Sequence, residues 1–91
     1  MLYMISYDLK TPGKDYSALY DAIKRLGAWW HYLDSTWIIQ SRHQVADVSA
    51  LIRQSIDAND RLIVVAIDSE KMDGWLPQEA WNWIRRNGKT H

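Results

Sequence analysis

Ala28-Trp29-Trp30-His31-Tyr32-Leu33-Asp34-Ser35-Thr36-Trp37-Ile38-Ile39-Gln40-Ser41 lies in the middle of the 91-residue chain. Its aromatic and β-branched residues fall in two runs, Ala28 to Leu33 and Thr36 to Ser41, separated only by Asp34-Ser35. Such runs favour extended backbone, and a two-residue break admits only a tight turn, so the stretch predicts a hairpin. On its N-terminal side, Tyr16, Leu19, Tyr20, Ile23 and Leu26 recur at spacings of three and four. They are bounded by Asp15, a helix-capping type, and by Gly27, suited to a left-handed stop, which predicts an amphipathic helix. Further out, Thr11-Pro12-Gly13 breaks the chain, and residues 2 to 9 read as a buried strand with Tyr3, Ile5 and Tyr7 on one side and Leu2, Met4, Ser6 and Asp8 on the other.

On the C-terminal side, Val45, Val48, Leu51, Ile52 and Ile56 make one stripe of a helix running from about Gln44 to Ala58, with Asn59 as its stop. Arg61 to Asp68 is then a fourth strand. The order strand, helix, strand, strand, helix, strand predicts an α+β domain with the split βαβ arrangement of the ferredoxin-like fold. Right-handed crossovers give the sheet order 4-1-3-2, with the first and third strands expected as parallel neighbours at the centre. A polar connector over 69 to 74 leads to a third helix with Pro77 in its first turn. This helix runs to about Asn87 and carries Ala80, Trp83 and Ile84 on one face. One domain is expected over 1 to 91, with its core in 1 to 68 and a helical tail over 75 to 88.

Composition narrows the chemistry. Cysteine is absent, which excludes disulfides, thiolate metal sites and cysteine nucleophiles. Eleven basic residues balance eleven acidic ones, so any contact with nucleic acid must be local, not a property of the overall charge. The longest apolar run, Leu62 to Ile67, is far short of the roughly 20 residues that cross a bilayer. No membrane partner is expected. With no basic and apolar leader opening the sequence, the expected location is cytoplasmic.

A sheet with helices on one face only should alternate apolar and polar residues. Here Leu62, Val64 and Ala66 oppose Ile63, Val65 and Ile67, and Leu2 and Met4 oppose Tyr3, Ile5 and Tyr7, so both faces of these strands are expected to be covered. The candidates for the second face are the tryptophan-bearing tail and a second copy of the chain. A homodimer is therefore expected.

Asp8 ends the first strand, where a carboxylate can hold a hard cation or simply satisfy the amides of the following turn. One carboxylate is a poor Mg²⁺ site, and two copies of Asp8 meeting across a dimer axis would make a better one. With the third strand parallel to the first and the fourth antiparallel, Arg42, His43 and Arg61 are expected at the same end of the sheet, joined by Lys10 and Lys14 from the loop. These five are the candidate contacts to RNA or DNA phosphates, with solvated loop charge as the plainer reading of each.

Tyr3-Met4-Ile5-Ser6-Tyr7-Asp8-Leu9, the Leu26-Gly27 helix end and Asp34-Ser35-Thr36-Trp37-Ile38-Ile39 resemble the small CRISPR adaptation subunit and the VapD toxin ribonucleases. With the Tyr16 to Gly27 helix and Ile56-Asp57-Ala58-Asn59-Asp60-Arg61-Leu62, they more closely resemble the SinR-family small bacterial proteins. The resemblance covers roughly residues 1 to 68. It implies a ferredoxin-like homodimer in which Asp8 pairs with its dimer mate around Mg²⁺ or Mn²⁺, as in those members that cut RNA or DNA. The implied activity is a metal-dependent nuclease. The competing expectation is a noncatalytic dimer acting as a protein- or nucleic-acid-binding scaffold, which an exposed tryptophan patch would favour.

Overall fold

The computed structural model describes residues 1–11 and 13–88, so Pro12 of the expected chain break lies outside it. The elements run β1 (Leu2–Asp8), α1 (Ser17–Lys24), β2 (Ala28–Leu33), β3 (Thr36–Gln40), α2 (Val45–Arg53), β4 (Arg61–Ile67) and α3 (Gln78–Asn87). The fold is α+β, with one four-stranded sheet in the order β2-β3-β1-β4. Counted from the β4 edge this is 4-1-3-2, and β1 and β3 are the central strands.

Strand direction departs from the expectation. Every neighbouring pair is antiparallel, β1 with β3 included, where Leu2 faces Gln40 and Ser6 faces Thr36. The cause is geometric. A crossover through α1 leaves β1 and β2 parallel, and the Asp34-Ser35 turn then reverses the chain, so β3 must oppose both. The C-terminal end of β3 consequently lies beside the start of β1, where the Ser41 N–H donates to the Met1 carbonyl (3.0 Å).

Each sheet face supports its own core. On one face Tyr3, Ile5, Tyr7, Trp37 and Ile39 meet Leu19, Ile23 and Leu26 and the α2 residues Val48 and Ile52. Full burial of each aliphatic side chain in this set is worth about 1.5–3 kcal/mol. On the other face Leu2, Trp30 and Ile38 meet Ala80 and Ile84 of α3. Ala80 and Ile84 stand one turn apart, and the buried Trp30 indole N–H donates to the Ala80 carbonyl (3.2 Å), which ties α3 to β2. Glu79 in the first turn of α3 and Arg85 and Arg86 in the last complement its dipole.

The helices are shorter than their periodic patterns. α2 ends at Arg53, and Ile56 is half-buried beyond it. The Asp60 carboxylate explains this by taking the Asp57 N–H (2.8 Å), a side-chain acceptor that diverts the backbone from a further helical turn. Leu51 and Val45, expected on the buried stripe, are exposed. Asp15 acts just before α1, where its Oδ1 accepts the Ser17 N–H (2.9 Å). Gly27 is not the left-handed stop anticipated. Its φ is +155°, and its role is close approach, because a Cβ there would overlap the Gln40 carbonyl oxygen.

Candidate functional site

The ladder between β1 and β4 places Asp8 directly opposite Arg61. Asp8 Oδ2 is 2.8 Å from Lys10 Nζ, with the Asp8 side chain 63% exposed. A shallow depression of ≈ 270 Å³ at this end is lined by Ser6, Asp8, Arg61 and Ile63 among others. The end of the sheet thus carries one carboxylate paired with Lys10, while Arg61 across the ladder donates to the Asn59 and Asp60 carbonyls. That donor set does not fit a hard divalent ion on a single chain, which is held by at least one carboxylate free of cations, together with other oxygen donors. Among the described residues there is no group of three or more His, Asp or Glu side chains able to hold a metal.

Of the five basic residues expected around Asp8, the structure brings Lys10 and Arg61 there. Arg42 and His43 lie at the opposite end, because β3 runs antiparallel to β1. They border a cavity of ≈ 600 Å³ with Met1, Tyr3 and Ala66. The His43 backbone is held on both sides, its carbonyl accepting from the Tyr3 hydroxyl (2.7 Å) and its N–H donating to Ser41 Oγ (3.2 Å). Lys14 is committed elsewhere: its ammonium donates to Asp57 Oδ1 (2.7 Å) and lies over the Tyr16 ring, 5.0 Å from the centroid.

Next to Asp8 in β1, Tyr7 joins an aromatic cluster on the opposite face of the sheet. The Trp37 indole N–H donates to the Tyr7 hydroxyl (2.9 Å), and Trp37 stacks against His31 with ring centroids 3.8 Å apart. Burial pushes the Tyr7 hydroxyl above its ordinary range, so Tyr7 stays protonated near neutrality and supplies no base beside Asp8.

The residues that do form a dense polar node here are Asp57 and Asp60, which sequence reasoning passed over. Asp60 is buried and accepts the Lys10 N–H (2.7 Å), the Tyr16 hydroxyl (3.0 Å) and the Asp57 N–H (2.8 Å). Asp57 accepts the Thr11 hydroxyl (2.9 Å) through its other oxygen, besides binding Lys14. Together they fasten the β1–α1 loop to the α2–β4 loop. Burial works against ionisation of Asp60, but the N–H groups of Lys10 and Asp57, the Tyr16 hydroxyl and the Lys14 charge outweigh it and hold the carboxyl below the usual aspartate range. Asp57 is lowered as well, first by the Lys14 hydrogen bond and then by Thr11.

Because both folded-state values are depressed, the stability they supply is present above the ordinary aspartate value of 3.8 and is lost as pH falls through the lower folded values. The melting temperature is accordingly expected to drop steeply below about pH 4 in the native protein and less steeply in Asp60→Asn. Parallel melting curves for the two proteins between pH 2 and 6 would remove Asp60 from the acid response.

The second sheet face is only half covered by α3. Across β3, β1 and β4, the row Gln40–Leu2–Ile67 lies toward α3, while the rows Ile38–Met4–Val65 and Thr36–Ser6–Ile63 lead toward Asp8 and Arg61. Ile63 is 58% exposed and Val65, Leu33 and Trp75 are exposed with it. Within the single chain, this face is therefore covered at the Leu2 end and open at the Asp8 end.

In comparisons with known proteins, no family model and no solved structure matches this chain. No helix among the described residues is long and apolar enough to cross a membrane.

Proposed function

We propose that this chain is a noncatalytic binding module of ferredoxin-like topology that works as a homodimer joined through the uncovered half of its sheet. The observation that carries the reading is the set Ile63, Val65, Leu33 and Trp75, exposed on one side of the molecule beside the sheet. Leu33 and Ile63 stand in one row through Thr36 and Ser6, and exposed large apolar side chains gathered on one sheet face mark interaction sites. The βαββαβ order with antiparallel neighbours and central β1 and β3 supports the topology. Light scattering at micromolar concentration tests the association: a mass twice that of the chain is expected, and a monomer at every concentration overturns it.

A second reading is favoured by one further observation. Asp8 ends the same row system that carries Ile63 and Val65, so a two-fold interface on this face would also carry Asp8 from both copies. A paired carboxylate is the arrangement that a phosphodiesterase acting on RNA or DNA with Mg²⁺ or Mn²⁺ needs, and Lys10 and Arg61 are placed to hold phosphate oxygens. The test is incubation of the native protein and Asp8→Ala with labelled single- and double-stranded RNA and DNA, with either metal or with chelator. The binding-module reading expects intact substrates throughout. Cleavage that disappears both in Asp8→Ala and with chelator selects the nuclease instead, and cleavage indifferent to both belongs to a contaminant.

A further inference from the structure

Val45 belongs to the apolar stripe of α2, yet it is 43% exposed. The row it would pack against stops short. In β4, Leu62 stands opposite Tyr7 and Val64 opposite Ile5, and both pack against the core, but Ala66, opposite Tyr3, ends the row with a single methyl. The space left there is the cavity of ≈ 600 Å³ walled by Tyr3, Val45 and Ala66 and rimmed by Arg42, His43 and Gln44. No carboxylate lines it, and among the described residues neither Arg42 nor His43 makes an ion pair. The cations around Asp8 differ, since Lys10 is held by Asp8, Lys14 by Asp57 and Arg61 by two main-chain carbonyls.

We propose that this cavity binds a small organic anion, a carboxylate or phosphate group carried on an apolar body. The acidic group meets Arg42 and His43, where a guanidinium offers paired N–H donors to two oxygens at once. The body covers Tyr3, Val45 and Ala66, which stay wet without it. A volume of this size falls within the roughly 300–1,000 Å³ of small-molecule sites. The turn that carries the two cations is fixed beforehand, because the Tyr3 hydroxyl donates to the His43 carbonyl (2.7 Å) and the His43 N–H to Ser41 Oγ (3.2 Å), so little ordering is left for the ligand to impose. A nucleic-acid backbone would reach the same two cations with its phosphates and leave Val45 and Ala66 uncovered, which favours the small molecule. Tyr3 packs on the α1 and α2 side of the sheet, so this site and the dimer surface on the other side stand or fall separately.

The experiment titrates the isotope-labelled native protein, Arg42→Gln and Ala66→Leu with phenyl phosphate, benzoate, benzyl alcohol and inorganic phosphate, and separately with a single-stranded oligonucleotide, following the backbone amides by NMR. Phenyl phosphate, benzoate or both are expected to move the amides of Arg42, His43, Val45 and Ala66 and to saturate at millimolar concentration. The affinity should exceed that for benzyl alcohol and for inorganic phosphate by at least about tenfold. Arg42→Gln removes the charge and Ala66→Leu fills the space while keeping the charge, so each should weaken binding by at least about tenfold with melting unchanged. Whichever of the two aromatic acids binds more tightly identifies the acidic group. The proposal is overturned by the absence of saturable shifts with either acid, by inorganic phosphate or benzyl alcohol binding as tightly, or by unchanged affinity in either variant. An oligonucleotide that moves these amides when neither small acid does overturns it too, and makes the surface a backbone contact.

Discussion

Gly27→Ala is expected to remove a large share of the protein's stability and to lower its unfolding midpoint markedly. The new Cβ has no room, because the atom it meets is the main-chain carbonyl oxygen of Gln40, and Gln40 is fixed in ladders with both Ala28 and Leu2. A flexible side chain could swing aside, but here two ladders must slide, and the residue is also asked to hold a φ of +155°. Strain of this kind, added to lost pairing, places the cost on the order of 4 kcal/mol or more. Against the roughly 5–15 kcal/mol typical of a folded domain, that is between about a quarter and most of the total. Urea unfolding monitored by circular dichroism checks it, and a midpoint equal to that of the native protein would show that β2 and β3 can part without penalty.

Trp30→Ala is expected to release α3. Trp30 is almost wholly buried between β3 and α3, and its removal opens a cavity under Ala80 and Ile84 costing about 3–5 kcal/mol. The Ala80 carbonyl loses its donor at the same time. α3 is the last element in the described chain and packs on β2, so the loss falls on this helix before it reaches the core between the sheet and α1 and α2. Hydrogen exchange should therefore show the amides of Gln78–Asn87 opening in the variant while those of β1 stay protected. Equal protection of α3 in both proteins would mean that the loop over 69 to 77 holds the helix without the indole.

Much of this architecture is legible in the amino acids because local signals and tertiary demands agree. β2 spans Ala28–Leu33, as its punctuation by Gly27 and Asp34-Ser35 implies. The direction of β3 was open to derivation too, since a two-residue turn must reverse the chain, and the parallel expectation overlooked it. That single sign carried Arg42 and His43 to the wrong end of the sheet and assembled a basic cluster that the molecule divides in two. The Asp60 node is illegible for a different reason: its partners Lys10 and Tyr16 are 50 and 44 residues away, and no periodicity announces an acceptor for them. Tryptophan is ambiguous by nature. Trp30 and Trp37 fill cores, Trp81 and Trp83 pack against one, and Trp75 stands in water, although apolar content alone assigns all of them inward.

The interleaving of strands bears on how the chain acquires its shape. β1 and β2 precede the Asp34-Ser35 turn and β3 and β4 follow it, yet the bonded neighbours are β2 with β3, β3 with β1 and β1 with β4. Neither segment contains two strands that touch, so a peptide ending at Asp34 and another beginning at Ser35 each lack a single ladder. The two segments are cooperative by construction. Synthesis must deliver β3 before β1 gains its first neighbour and β4 before it gains its second, so no ladder can form until the chain has passed the Asp34-Ser35 turn, and mixing the two severed peptides is expected to restore ladders that neither holds alone.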